Sequence, residues 1–339
     1  MRDGGDDLEG LRKRVLSDAA GHSLARAIHV AVEMNLAERI GHGTTTAAEL
    51  AAGTGSHPQT LGRLLHFLAR HDYLDELPGG SFRLTALGTM LRRDAPGNTA
   101  AVISSLGHHG VWKAFGGLGD TVRTGLLPEH RRTPQTYNQQ EGEGEARALA
   151  DAMIGYHWGS PARVSACCDF ASSRLVVDVG GSAGLLLTTI LVAHPHLSGI
   201  VFDRPGIEAE AQRAIAAAGL SERCSFAGGS FFDGVPEGGD TYIVSRILHD
   251  WSDENAAAIL ASIHRAMAPG ARLLIVEPLL SPDGANEDVL PVDLLLLTNT
   301  QGRLRSFEDY SELLEQSGFV PGAATPCGPT ATVIDARRQ

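Results

Sequence analysis

Residues 175–203 read LVVDVGGSAGLLLTTILVAHPHLSGIVFD. Leu175, Val176 and Val177 form a short apolar run that leads into Asp178. A glycine turn follows at Gly180, Gly181 and Gly184, then an apolar helical pattern through Leu186, Leu187, Ile190 and Leu191. Pro195 breaks that pattern, and a second apolar run, Gly199 to Phe202, closes on Asp203. Strand, tight turn, helix and strand make the repeating unit of a parallel sheet. The carboxyl ends of such strands form the ligand crevice, so the spacing directs Asp178, Asp203 and the glycine turn at one small molecule.

The chemistry of the turn narrows that molecule. Glycine lets a backbone approach a ligand where a side chain would clash. An acid ending the second strand accepts hydrogen bonds from ribose hydroxyls in dinucleotide sites, which suggests the same task for Asp203. The glycine spacing does not fit G-x-G-x-x-G, and no G-K-[ST] follows to hold phosphates. A nucleoside without a pyrophosphate fits better, and S-adenosylmethionine is the foremost case. A tight turn in some other α/β sheet is the plain alternative.

Working outward, 339 residues suffice for two domains with sizeable cores. A formal net charge of −12 opposes nucleic-acid binding, which needs a basic face. Cys167, Cys168, Cys224 and Cys327 lack metal-ligand spacing, so no metal is expected, and the adjacent pair is poorly placed for a bridge. A reducing cytoplasm is the simplest setting, with no signal peptide and no membrane-spanning run expected.

Upstream, apolar residues recur at helical spacing from His22 to Arg39. Thr46 with Glu49 reads as a capped helix start, and Pro58 opens a helix with Leu61, Leu64, Leu65 and Leu68 on one face. Asp75 to Leu84 reads as a hairpin with a Pro-Gly-Gly turn. Helices followed by a hairpin give a winged-helix layout. The acids Asp72, Asp75 and Glu76, which follow the helix opened by Pro58 that would enter a groove, favour packing or dimerisation over DNA contact. In the middle, Val111 to Leu118 suggests a helix, Leu126 to Gln139 a polar loop, and Glu141 to Glu145 a flexible join. Ala146 to Ala166 reads as one helix carrying Met153, Tyr156, His157 and Trp158, either ordinary core or the wall of an aromatic pocket. The expected domains are therefore 1–96, 97–170 and 171–339.

Downstream, Cys224 to Ala227 is a short strand before the loop Gly228-Gly229-Ser230-Phe231-Phe232. The strand Thr241 to Ser245 runs into Ile247-Leu248-His249-Asp250-Trp251, and Ser252 caps the next helix. Arg272 to Glu277 is another buried strand ending in an acid. His249 and Glu277 thus fall at the same sheet edge as Asp178 and Asp203. A lone histidine among 14 is usually structural. A histidine beside an acid has a use: Glu277 holds one ring nitrogen and leaves the other to take a proton from a hydroxyl. A phenol, with a pKa near 10, suits such a base.

With these residues in view, the chain resembles the small-molecule O-methyltransferases of the plant caffeate and bacterial natural-product type. The resemblance spans nearly the whole chain. It rests on Val177-Asp178-Val179-Gly180-Gly181-x-x-Gly184, Phe202-Asp203-x-Pro205, Gly229-Ser230-Phe231-Phe232, and Leu248-His249-Asp250-Trp251-Ser252-Asp253-Glu254. Arg272-Leu273-Leu274-x-x-Glu277 and Asp293-Leu294 join them. It implies a Rossmann-like α/β methyltransferase domain behind a mostly helical, winged-helix dimerisation domain, and a homodimer. It also implies that Asp178, Gly180, Gly181, Gly184, Asp203, Arg204, Gly229, Ser230, Phe231, Ser245, Asp250 and Trp251 surround S-adenosylmethionine. His249 becomes the general base and Glu277 its orienting acid. Met153, His157, Trp158 and Asn299, within the segments Met153 to Trp158 and Leu294 to Thr300, would face a small aromatic hydroxylated acceptor.

Three positions depart from the family pattern. Ser230 stands where Gly-Asp-Phe-Phe is common, and Ser245 stands where plant members have a lysine. Gly302-Arg303-Leu304-Arg305 replaces Gly-x-Glu-Arg, which removes the second acid that brackets the histidine. That loss keeps open a carbon or nitrogen methyltransferase, or a chemically diverged relative. The winged helix keeps open a metabolite-sensing regulator, and the wrong glycine spacing disfavours a nicotinamide dehydrogenase.

Overall fold

The apolar stripes of the first hundred residues fold on one another. The computed structural model describes residues 8–125, 151–157, 159–281, 289–328 and 330–339. They fall into two units, Met1–His108 and His109–Gln339. In the first, helices Gly21–Glu33, Leu36–Ile40, Ala47–Thr54 and Pro58–Ala69 enclose Ala31, Leu36, Leu50, Leu61, Leu65 and Leu68, all buried. Strands β1 (Thr45–Thr46), β2 (Leu74–Leu77) and β3 (Ser81–Leu84) form a sheet in the order β1-β3-β2. The Thr46 capping box is present: its hydroxyl accepts from Glu49 N, and Glu49 accepts from Thr46 N. The single helix expected from His22 to Arg39 is instead two, parted where Asn35 adopts a left-handed φ of 52°. A further helix, Leu8–Ala19, precedes them and has no buried residue.

The second unit is built on a seven-stranded sheet. Its strands are β4 (Leu175–Val179), β5 (Ser198–Asp203), β6 (Cys224–Gly228), β7 (Thr241–Ser245), β8 (Arg272–Glu277), β9 (Phe319–Pro326) and β10 (Thr332–Arg338). They lie in the order β6-β5-β4-β7-β8-β10-β9. The first five are parallel, and β10 runs antiparallel between β8 and β9. Alternate side chains of β4 point to opposite faces. Val177 and Val179 pack toward helices Asp253–Ala266 and Phe307–Gln316, while Val176 packs toward helices Leu185–Ala193 and Glu208–Ala217. With helices on both faces the strands are nearly continuous apolar runs, as a buried parallel sheet requires. The strand order reverses between β4 and β7, and the carboxyl ends beside that reversal form a crevice.

The helix expected from Ala146 to Ala166 does not run through. Residues 151–156 are helical, Gly159 takes a left-handed φ of 72°, and a new helix, Ser160–Cys167, starts there with Pro161 in its first turn. Residues 146–150 and Trp158 lie outside the described residues, as do the expected loop from Leu126 and the join at Glu141 to Glu145.

Candidate active site

The glycine turn sits at the reversal point because nothing larger fits. Gly180 has φ of 76°, and a Cβ there would lie 2.5 Å from Ile247 Cδ1. Gly181 is equally confined, with its Cβ position 2.7 Å from Asp178 Oδ2. Asp178 is buried, and neither carboxyl oxygen has a hydrogen-bond partner among the described residues. Burial first, and the charge of Asp203 second, raise its pKa to about 7. Asp203 accepts from Ser182 N and from Arg204 N, each at 2.7 Å, so its carboxylate ties the end of β5 to the glycine turn.

A narrow cavity opens on this turn. Asp178, Gly180, Gly181 and Ser245 line one part of it, and Met153, Ile154 and His157 another. The geometry therefore brings residues expected on the cofactor side together with two expected on the acceptor side. Burial first, then the charges of Arg246 and His249, push the pKa of His157 down to about 3, which keeps the ring neutral. Gly229 donates its N–H to Asp203 O at 2.9 Å, and Ser230 Oγ accepts from Phe232 N at 3.3 Å. Phe231 and Trp251 are buried, their rings edge-on at 6.0 Å, and form part of the core under the crevice. Asn299 ends the helix Leu290–Asn299 and donates its amide to Leu295 O at 3.1 Å.

His249 lies on a one-turn 3-10 segment, Leu248–Asp250, just past β7. Its Nδ1 is 2.5 Å from Glu277 Oε2, and both residues are buried. Glu277 Oε1 accepts the backbone N–H groups of Ile247, Leu248 and His249 at 3.1, 3.0 and 3.4 Å. One carboxylate thus shapes the turn with one oxygen and orients the imidazole with the other. Asp250 Oδ1 is 3.7 Å from the other ring nitrogen, Nε2. Burial disfavours the charged ring, but the charge and hydrogen bond of Glu277 outweigh it and raise the His249 pKa above its ordinary value.

Two arginines were not singled out from the sequence. Arg246 adopts a left-handed φ of 53°, and its guanidinium donates to Thr330 O and Thr330 Oγ1 at 2.8 and 3.1 Å. It interacts electrostatically with Glu277, His249 and His157, one residue beyond the serine that replaces the family lysine. A search for a cation near position 245, rather than at it, would have found it. The second is Arg305, which is buried. Leu304 is buried with Val289 and Leu296, so an aliphatic side chain occupies the place of the missing acid.

Residues 136–320 match the family described as the O-methyltransferase domain, and residues 17–94 match the O-methyltransferase dimerisation domain. The chain belongs to the S-adenosylmethionine-dependent O-methyltransferases. The methyltransferase is 36% identical over 320 residues to the mitomycin biosynthesis 6-O-methyltransferase of Streptomyces lavendulae, covering 93% of this chain and 91% of the relative. Among solved structures it resembles the mitomycin 7-O-methyltransferase MmcR, with a TM-score of 0.91, 33% identity and 98% of each chain covered. It also resembles NcsB1, an O-methyltransferase of neocarzinostatin biosynthesis solved with S-adenosylhomocysteine and 1,4-dihydroxy-2-naphthoic acid. That likeness has a TM-score of 0.81 and 30% identity, covering 93% of this chain and 96% of the other. The enzyme transfers a methyl group from S-adenosylmethionine to a hydroxyl of a small secondary metabolite. The close-packed glycine turn and the unpartnered buried acid Asp178 fit that cofactor, since the turn admits a ligand against backbone and the acid awaits a donor. No helix among the described residues is long and apolar enough to cross a membrane.

Proposed function

We propose that the methyltransferase acts as a cytoplasmic homodimer on a phenolic hydroxyl of a fused-ring aromatic metabolite, with His249 as general base. The observation that carries this is the 2.5 Å contact between His249 Nδ1 and Glu277 Oε2 in a buried site at the sheet edge. The proton belongs on Nδ1, donated to Glu277, which leaves Nε2 as the acceptor facing the substrate. The naphthoic acid bound by NcsB1 supports an aromatic acceptor, and the dimerisation domain supports the homodimer.

The cofactor supplies an electrophilic methyl group. This chain contributes the rest: Asp203 and the Gly180–Gly184 turn hold the nucleoside, and Arg246 provides the positive charge that Ser245 lacks. Phe231 and Trp251 stiffen the floor, while Met153, His157 and Asn299 shape the acceptor side. His249 Nε2 takes the hydroxyl proton as the oxygen is held in line. Calorimetric titration with S-adenosylhomocysteine, with NADH as control, should give micromolar affinity for the former alone. Methylation of dihydroxynaphthoates should then appear by mass spectrometry; turnover confined to amines or carbon acids would overturn the phenolic assignment.

Because the His249 pKa is raised and only the neutral ring is a base, turnover should fall as pH drops through a value above the ordinary 6.5. Glu277→Gln removes the charge responsible, so the acid limb of kcat/KM should move to lower pH while the maximum falls. A limb that stays in place would mean that another group controls it.

A further inference from the structure

Position 304 carries a leucine in place of the family acid, yet its segment still grips the catalytic turn. Arg305 is almost wholly buried, 1% exposed. Its Nη1 donates to Leu248 O at 2.8 Å, and its Nη2 donates to Trp251 O at 2.8 Å. Nε and Nη2 both donate to Asp253 Oδ1, at 2.9 and 2.7 Å, and the guanidinium stands 5.7 Å from the centre of the Tyr310 ring. Gly302 lies so close to the turn that a Cβ there would overlap the His249 carbonyl oxygen.

The peptide group between Leu248 and His249 is therefore held at both ends by opposite charges. Its N–H points to Glu277 Oε1 and its C=O points to Arg305 Nη1. That fixes the peptide plane, and with it the direction in which the His249 side chain leaves the backbone. A buried arginine adds little net stability compared with an apolar residue of its size, which speaks for a role in specifying geometry. We propose that Arg305 is a positioning residue for His249, setting the turn so that Nδ1 meets Glu277 and Nε2 faces the acceptor. The proposal rests on His249 being the base, and its test separates the two.

The test is Arg305→Lys, which keeps the charge but cannot reach three acceptors in a fixed fork. Histidine ring signals are read by 15N-edited NMR on the full-length protein with S-adenosylhomocysteine bound, and His249 is assigned by its loss in a His249→Gln variant. Glu277, Asp250, Arg246 and His157 face the ring electrostatically, so its titration reports their arrangement. In the unaltered protein the ring should be a single tautomer with the proton on Nδ1. In Arg305→Lys the tautomers should average, the ring pKa should fall toward its ordinary value, and kcat should drop at least tenfold. Affinity for S-adenosylhomocysteine should stay within about threefold, a split that general destabilisation would not produce.

Asp253→Asn is the second variant, because it loosens Arg305 from a side chain that is itself 60% exposed. It should shift the same signals in the same direction by less. A folded Arg305→Lys with unchanged ring signals and kcat overturns the proposal, as does an unfolded one accompanied by a silent Asp253→Asn. If the ring signals change and turnover does not, Arg305 positions His249 but His249 is not the base.

Discussion

Replacement of His249 by Ala should lower turnover by two to four orders of magnitude, the range expected when a general base is lost. The loss should be expressed in kcat. The ring lies on a turn held by Glu277 and Arg305 through backbone groups, which the substitution leaves in place. Affinity for S-adenosylhomocysteine should therefore stay within a few-fold, measured by calorimetry on the same preparation. A second signature follows from the pKa: the acid limb of the rate profile should vanish with the ring. Turnover close to that of the unaltered enzyme would mean that placement of the oxygen drives the reaction unaided, and the base assignment would fail.

Asp203→Ala should weaken cofactor affinity by about a hundredfold or more. Asp203 accepts from Ser182 N and Arg204 N, so its carboxylate is held at the end of β5 beside the glycine turn, where ribose hydroxyls can donate to it. Hydrogen bonds to a charged acceptor contribute about 1.5–3 kcal/mol each. Truncation removes those bonds and also frees the glycine turn from the end of β5. Asp203→Asn, which keeps one acceptor oxygen, should fall between the two. Unchanged affinity for S-adenosylhomocysteine in the alanine variant would place the ribose elsewhere.

Much of this site was legible because its parts are local. A strand that ends in an acid and a glycine turn leave fixed spacings, so Asp178, Asp203, His249 and Glu277 could be placed at one sheet edge from sequence alone. The core followed for the same reason, since alternating burial on β4 and the stripes of the flanking helices are periodic. What was missed depends on contacts between distant segments. Arg305 meets Leu248 across more than fifty positions, and no local pattern marks that pairing. Arg246 was overlooked because a one-residue shift at the strand end, together with a left-handed backbone, carries its side chain where a straight strand would not. The division of the helix at Gly159 was hidden by the apolar pattern on either side. The helix at Leu8–Ala19 keeps Leu8, Leu11, Val15 and Leu16 at helical spacing, but its charged residues give it a weak apolar signature.

The state of Asp178 has a consequence for how cofactor uptake is measured. An acid that burial lifts to a pKa of about 7 titrates close to neutral pH, so both of its forms are populated there. A cationic group brought beside it favours the anion, so loading the site at pH 7 should expel a fraction of a proton into the medium. The heat of binding would then include the ionisation heat of whatever buffer receives that proton. Titrations in phosphate and in Tris should give different apparent enthalpies but one affinity, and their difference, divided by the difference in buffer heats, counts the protons released. Asp178→Asn should bring the two enthalpies together.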